Sequence, residues 1–130
     1  MAAALEVGAC SVVCIKPARL GGIGAALETV RACAATGVPL WIGGMFESSF
    51  ARQVNAVIAG LPGFSWPGDL SWPGGYLAED LVAWPTMPSA MVTLPAVPGL
   101  GPVPDALTVD RLTVRRAHLE PPVATDSGGR

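Results

Sequence analysis

The sequence predicts an α/β fold built around a parallel sheet. Two short apolar runs rich in β-branched residues, 12–15 and 38–42, have the pattern of strands buried on both faces. The stretch between them, residues 23–36, carries apolar side chains at helical spacing. Strands that alternate with amphipathic helices of this length form right-handed βαβ units. This alternation by itself fits a doubly wound sheet as well as a barrel.

Composition excludes several classes of partner. The chain has 130 residues, 51% of them hydrophobic, which is ample for a core. Only 14% are charged and the net charge is -2, so no basic surface is expected to gather nucleic acid or an anionic membrane. No apolar run reaches the roughly 20 residues that span a bilayer, and no signal peptide is recognised at the start. We expect a cytoplasmic protein that binds neither nucleic acid nor membranes.

The cysteines favour the same compartment. Cys10, Cys14 and Cys33 are an odd number, which argues against a disulfide framework and for a reducing environment. The single histidine, His118, lies far from all three, so the sequence predicts no zinc site.

The first strand ends on a lysine. Residues 3–7 with Gly8 behind them are typical of a helix end, which suggests a chain that has lost its beginning. The strand over residues 12–16 follows and ends on Lys16. Pro17 and the glycine pair at 21–22 predict an abrupt turn. Lys16 is then either a charge reaching the surface or a base at the carboxyl end of a parallel strand, and the turn favours the second reading.

The next two helices and the second strand have clear boundaries. A helix is predicted from Ile23 to a stop at Gly37, with the inner face Ile23, Leu27, Val30 and Ala34. The strand over 38–42 ends on two glycines, and Ser48 or Ser49 can cap the following helix. The predicted inner face of that helix is Phe50, Val54, Val57, Ile58 and Leu61.

The last part of the chain is rich in loops. A strand is predicted around residues 64–66, leading to Asp69, and further short strands around 91–94 and 112–115. Three tryptophans, Trp66, Trp72 and Trp84, are interpreted as lids over apolar surface. We divide the chain into βα units at 1–76, a wrapping tail at 77–119 and a frayed polar terminus at 120–130.

Three motifs together resemble a known family. They are IKPARLGG at residues 15–22, WIGGMFE at 41–47 and PGD at 67–69. In this order and spacing they resemble the enolase superfamily, muconate-lactonizing subgroup, and within it the o-succinylbenzoate synthase / N-acylamino acid racemase family. The resemblance runs from about Val12 to His118, roughly the last third of a member, since the barrel alone needs about 250 residues.

The resemblance implies a fold and an assembly. It selects a C-terminal fragment, about strands 6–8, of a (β/α)₈ TIM barrel. The tail at 77–119 would return toward the N-terminal capping domain, which it would contact in part through the stretch 98–101. The full-length parent is expected to be a homo-oligomer.

The resemblance also implies a reaction on a small carboxylate substrate. Family members remove a proton next to a carboxylate while Mg²⁺ stabilises the enediolate. Lys16 matches the sixth-strand lysine, which acts as a proton donor and acceptor in racemisation or as a cation in the synthase reaction. The Lys-x-Lys motif and the acidic Mg²⁺ ligands of earlier strands are absent here, so we expect this chain alone to bind no Mg²⁺.

Other candidate residues follow the second strand. The substrate-binding candidates are Gly43, Gly44, Met45 and Phe46, where bare backbone would admit an acyl or succinyl arm. A turn that requires glycine is an equally good explanation of the glycine pair. Phe46 stands where the family has a smaller aliphatic residue, and we expect it to narrow the pocket.

Supporting roles are expected for two acidic residues. Glu47 either pairs with the amine of Lys16 or caps the helix that follows. Asp69 matches the family motif and is expected to make structural hydrogen bonds. Arg52 and Asn55 match helix positions that we interpret as scaffold.

Three functions remain open from the sequence. The first is the C-terminal portion of an o-succinylbenzoate synthase-like lyase of menaquinone biosynthesis. The second is an N-acylamino acid racemase. The third is a truncated, catalytically inactive fragment, which we favour for the isolated chain because three strands leave open sheet edges.

Overall fold

The computed structural model describes residues 1–71, 73–83, 90–94 and 96–119. In chain order the elements are α1 (Ala2–Glu6), β1 (Val13–Ile15), α2 (Pro17–Leu20), α3 (Ile23–Thr36), β2 (Leu40–Ile42), α4 (Ser49–Ala59), a 3₁₀ turn (Pro73–Gly75) and α5 (Ala106–Leu112). No helix in these ranges is both long enough and apolar enough to cross a bilayer.

The two strands form the predicted parallel pair. Val13 pairs with Leu40 and Ile15 with Ile42, and α3 makes the crossover between the strands. The inward side chains of both strands join residues of α3 and α4 in one apolar cluster: Val13, Ile15, Ala26, Val30, Cys33, Leu40, Ile42 and Ile58. The βαβ unit predicted from the apolar runs is therefore confirmed.

The third predicted strand, around residues 64–66, is only an isolated bridge. Phe64 pairs with Leu40 in parallel. The amides of Ser65 and Trp66 both donate to the Leu40 carbonyl, at 3.2 and 3.4 Å, so the regular ladder stops there. Pro67 has no N–H to continue it. The chain rejoins β2 at Asp69, whose amide donates to the Ile42 carbonyl at 2.8 Å.

Helix α3 forms where predicted, but its inner face agrees only in part: Val30 is buried and Leu27 is half-buried, whereas Ala34 is exposed. Its buried residues are Ala26, Thr29, Val30 and Cys33. Ile23, predicted to lie inside, is 39% exposed. Gly37 ends the helix with φ +69°, a conformation that favours glycine.

Helix α4 buries a polar stripe that the apolar pattern did not predict. Its buried residues are Ser49, Arg52, Gln53, Asn55, Ala56 and Ile58. Of the predicted inner face only Ile58 is buried, and the other four residues are half-buried. The polar residues tolerate burial because loops remote in sequence supply hydrogen bonds, as Leu100 and Pro102 do for the amide of Gln53.

The tail contains a helix that ends where a strand was expected to begin, at Leu112. Asp105 accepts hydrogen bonds from the amides of Leu107 and Thr108 and so caps α5, which extends to Leu112. The predicted strands at 91–94 and 112–115 are both wrong, the second because this cap starts a helix that absorbs Leu112. Trp66 is 57% exposed. Trp72, Trp84 and residues 120–130 lie outside the described residues.

Candidate functional site

Three chain segments bring the candidate residues to one edge of the sheet. Lys16 follows β1 and Gly43 follows β2, and the Gly43 amide donates to the Ile15 carbonyl at 2.9 Å. Asp69 lies beside the end of β2, where its backbone N–H donates a hydrogen bond to the Ile42 carbonyl. Because parallel strands end on the same side, their carboxyl ends form one shared rim. This is the edge at which α/β proteins commonly place ligands.

The amine of Lys16 is held by a backbone carbonyl of the neighbouring strand end. Lys16 is half-buried, and its Nζ donates to the Gly44 oxygen at 2.7 Å. Its own carbonyl accepts the amides of Arg19 and Leu20, so Lys16 is the N-cap residue of α2. Pro17 at the first helical position is the signal for this one-turn helix, which forms in place of the expected loop.

The side chain of Lys16 lies on the sheet face opposite the core cluster. Side chains alternate along a strand, so Cys14 and Lys16 share the face that Val13 and Ile15 do not use. Cys14 is half-buried and stands opposite Trp41 of β2. The amine therefore projects over the rim from the sheet face away from α3.

Glycine is needed at positions 43 and 44 because neighbouring atoms leave no room for a Cβ, not because the backbone makes a turn that only glycine adopts. Neither has a positive φ, so the explanation by a turn that requires glycine is wrong. A Cβ at Gly43 would lie 2.6 Å from both the Cys14 Sγ and the Lys16 Cε. A Cβ at Gly44 would meet the Asp69 carbonyl oxygen. Bare backbone at these positions makes room for Lys16 and for the third segment.

Glu47 does not pair with Lys16. Its Oε2 accepts the amide of Met45 at 2.6 Å and lies 3.4 Å from the Nη2 of Arg52. The helix is capped by Ser48, whose hydroxyl accepts the Ala51 amide. Both expected roles of Glu47 are therefore wrong. It does not pair with Lys16 because the Gly44–Met45 peptide stands between its carboxylate and the amine, and it does not cap the helix because Ser48 does.

Arg52 is the centre of a buried polar cluster behind this loop. Its side chain is fully buried, and its Nη2 donates to the Met45 carbonyl at 2.8 Å and to the Tyr76 hydroxyl. That hydroxyl in turn donates to the Glu47 carbonyl at 2.9 Å. Within the described part of the chain, Nε and Nη1 of Arg52 have no partner. The scaffold interpretation recognised the position but not this cluster.

Met45 and Phe46 point outward beyond the rim. Met45 is 44% exposed, and its Sδ accepts the Nε–H of Arg19 at 3.3 Å. Phe46 is 84% exposed and packs edge-on against Tyr76, with ring centroids 5.2 Å apart. Contact of these residues and of the two glycines with a substrate stays a prediction.

Asp80 closes the N-terminus of α4, a contact that no local pattern indicated. Its two carboxylate oxygens accept the Ser49 amide at 2.9 and 2.8 Å, and one accepts the Ser49 hydroxyl at 2.6 Å. Aspartate is favourable at the positive end of a helix dipole. The contact ties the segment at 73–83 to the helix that begins just after the rim loop.

We expect Asp80→Asn to lower the free energy of unfolding by about 1–2 kcal/mol, because the charge-assisted bonds to the helix end are weakened. Urea unfolding followed by circular dichroism measures the loss. Glu79→Gln is the matched control, since Glu79 is exposed and pairs with Arg111 at the surface. Equal losses for the two variants would contradict the assigned role.

The thiol of Cys14 reports on the amine beside it. Burial raises the pKa of Cys14 above its usual range, the charge of Lys16 lowers it, and Asp69 raises it. The thiolate therefore forms only at higher pH than in a free cysteine. We expect the pH midpoint of Cys14 alkylation by iodoacetamide, read by peptide mapping, to exceed that of free cysteine. In Lys16→Ala the midpoint should move further upward, and a downward shift would contradict this geometry.

The described residues do not fit a metal site. Across 1–71, 73–83, 90–94 and 96–119, no three side chains of His, Cys, Asp or Glu gather closely enough to hold a metal ion. Asp69 stands alone at the rim, and Glu47 is engaged with Arg52.

Comparison with known proteins gives consistent matches. A family described as "Enolase C-terminal domain-like" matches residues 1–108. An N-succinylamino acid racemase of Thermus thermophilus is 42% identical over 106 residues, which is 82% of this chain and 27% of that protein. An o-succinylbenzoate synthase of Bacillus subtilis is 36% identical over 99 residues, covering 75% and 27%.

A solved structure agrees with the sequence matches. A member of the enolase superfamily from Listeria innocua superimposes with a TM-score of 0.72 at 31% identity, over 84% of this chain and 30% of that one. The chain thus spans less than a third of the length of each of these three relatives.

Proposed function

The chain belongs to the enolase C-terminal domain-like family. We therefore propose that it forms the part of an o-succinylbenzoate synthase-like lyase that carries the active-site lysine. The reaction is the dehydration of a small cyclohexadiene carboxylate, which serves menaquinone biosynthesis. Similarity to the synthase of Bacillus subtilis supports the family, and the rim geometry supports the residues.

We assign the three rim segments to consecutive strands of a (β/α)₈ barrel. β1 would be the sixth strand, β2 the seventh, and the segment at 63–69 the eighth. Support comes from the parallel pairing of β1 with β2 and from the parallel bridge between Leu40 and Phe64. In such a barrel the carboxyl ends of the strands surround the active site.

The observation that carries the proposal is the position of the Lys16 amine. It stands at the rim, half-buried, and its hydrogen bond to the Gly44 oxygen fixes its direction. An amine in this position reaches a substrate carboxylate lying over the rim. It then transfers a proton at the adjacent carbon, or stabilises negative charge there as a cation.

N-acylamino acid racemase is the second candidate. Its support is the 42% identity to the N-succinylamino acid racemase of Thermus thermophilus. The same amine would then give and take the proton on one face of the substrate. Racemisation needs a second proton carrier on the opposite face, and Lys16 is the only lysine of this chain.

Two further features belong to the proposal by family membership alone. A complete enzyme of this kind would hold Mg²⁺ through acidic ligands on earlier strands of the barrel, and the metal would stabilise the enediolate. The parent would also assemble as a homo-oligomer, which light scattering coupled to gel filtration can test.

The experiment is a paired assay of the protein expressed from its native gene. One arm supplies the cyclohexadiene carboxylate and follows the appearance of o-succinylbenzoate. The other supplies a single enantiomer of an N-succinylamino acid and follows loss of optical rotation. Dehydration without racemisation supports the first candidate, racemisation without dehydration the second, and activity in neither arm would overturn both in favour of an inactive chain.

A further inference from the structure

We propose that Arg52 is a positioning residue for the amine of Lys16, acting through the peptide between Gly44 and Met45. This inference rests on the proposed function for its catalytic meaning. Its structural part stands on contacts within the described residues alone.

The peptide between Gly44 and Met45 is held at both ends. Its oxygen accepts the Lys16 Nζ at 2.7 Å, and its N–H donates to the Glu47 Oε2 at 2.6 Å. The oxygen and hydrogen of a trans peptide point in opposite directions in one plane. Fixing the N–H toward Glu47 therefore fixes the oxygen toward Lys16.

Arg52 holds the Glu47 carboxylate, which in turn accepts the hydrogen bond from this peptide. Its Nη2 lies 3.4 Å from the same Oε2 of Glu47 and donates at 2.8 Å to the carbonyl of Met45. The side chain of Arg52 is fully buried, and that of Glu47 is only 13% exposed, so solvent screens their attraction little. Both the carboxylate and the next peptide along the loop are thus set by one guanidinium.

The contact of Arg52 with Tyr76 offers a way to distinguish a positioning role from a purely structural one. The Tyr76 hydroxyl accepts from Nη2 and donates to the Glu47 carbonyl, so it braces the outer side of the loop. It makes no hydrogen bond to the peptide that faces Lys16. Loss of Arg52 should therefore release the amine more than loss of the Tyr76 hydroxyl does.

The test measures how fast an amine reagent modifies Lys16. The protein from its native gene is treated with an N-hydroxysuccinimide acetate, and acetylation of Lys16 is followed by peptide mapping against a lysine peptide in the same solution. In Arg52→Met we expect the rate to rise about fivefold, the factor that corresponds to one ordinary hydrogen bond. Arg52→Lys keeps the cation but not the fork, and should rise less.

Three controls keep the result decisive. Arg111→Met removes an exposed arginine and should leave the rate for Lys16 unchanged. Tyr76→Phe removes the outer brace and should raise that rate less than Arg52→Met does, because the hydroxyl bonds to Arg52 and Glu47 and not to the Gly44–Met45 peptide. Circular dichroism verifies folding, and if Arg52→Met does not fold, Arg52→Lys decides. An unchanged rate in the folded Arg52 variants would overturn the proposal, and so would an equal rise in Tyr76→Phe.

Kinetics separate this inference from the proposed function. If both are right, Arg52→Met lowers kcat about tenfold or more while KM changes little, because a misplaced amine affects the reacting geometry more than binding. Faster acetylation of Lys16 in a protein without either activity would retain the positioning role and overturn the proposed function. A fall in kcat equal to the rise in KM would overturn the positioning role.

Discussion

Lys16→Ala should lower kcat by about 10²–10⁴-fold, the contribution that a positioned proton-transfer group makes. KM should change little, because the amine acts on the reacting carbon and other groups supply most of the binding. Steady-state kinetics of the protein from its native gene measure both constants on the substrate that the paired assay identifies. Arg31→Ala, on the exposed side of α3, is the matched control for loss of one positive charge.

Lys16→Arg distinguishes the two roles that the amine can have. Arginine keeps the positive charge at all working pH values and so cannot serve as a base. If Lys16 only stabilises charge, this variant should retain most of the activity that Lys16→Ala loses. If Lys16 moves the proton, both variants should be equally inactive. Activity of a folded Lys16→Ala within a few-fold of the unmodified protein would contradict either role.

Gly43→Ala should be nearly as damaging, although it adds a single methyl group. That group would lie 2.6 Å from the Lys16 Cε and from the Cys14 Sγ, distances at which both neighbours must move. The lysine is the more flexible of the two, so the amine is displaced from the Gly44 oxygen. A misplacement of about 1 Å at a reacting group costs on the order of 10²-fold in rate.

Gly24→Ala is the control for Gly43→Ala. Gly24 lies in α3, and a Cβ there meets nothing within 4 Å. This control should keep full activity and lose no stability, since alanine is at least as good a helix former as glycine. Similar activity in the two variants would show that the space beside Lys16 is not needed. Kinetics and urea unfolding of both variants give the comparison.

Features encoded by neighbouring residues were predicted well. The apolar runs before Lys16 and Gly43 predicted β1, β2 and their parallel pairing, because such runs can be satisfied only inside a sheet covered by helices. Ser48 was recognised as a possible cap from its place before an apolar helix. Each of these signals lies within a few residues of the structure that it specifies.

Features that depend on remote contacts were missed. Asp80 reaches Ser49 across 31 residues and Tyr76 reaches Arg52 across 24, and no spacing rule connects such pairs. The pairing of Glu47 with Lys16 was wrong for a related reason. Charge alone suggested the pair, whereas the direction of one peptide plane decided the actual partners.

Short patterns were ambiguous in the tail. The alternation of Leu112 and Val114 with polar neighbours covers only four residues, too few to distinguish a strand from a helix end. The informative signal was Asp105, seven residues before Leu112, which caps α5. In α4 the spacing of apolar residues predicted that the apolar face is buried. The polar face is buried as well, because distant loops supply hydrogen bonds to its side chains.

The most direct measurement is a crystal structure of the protein from its native gene with o-succinylbenzoate bound. Our account predicts the Nζ of Lys16 within about 3 Å of the bound molecule, over a rim of parallel strands that includes β1, β2 and residues 63–69. An Nζ that faces bulk solvent on the outside of the fold, with the product bound elsewhere, would contradict it.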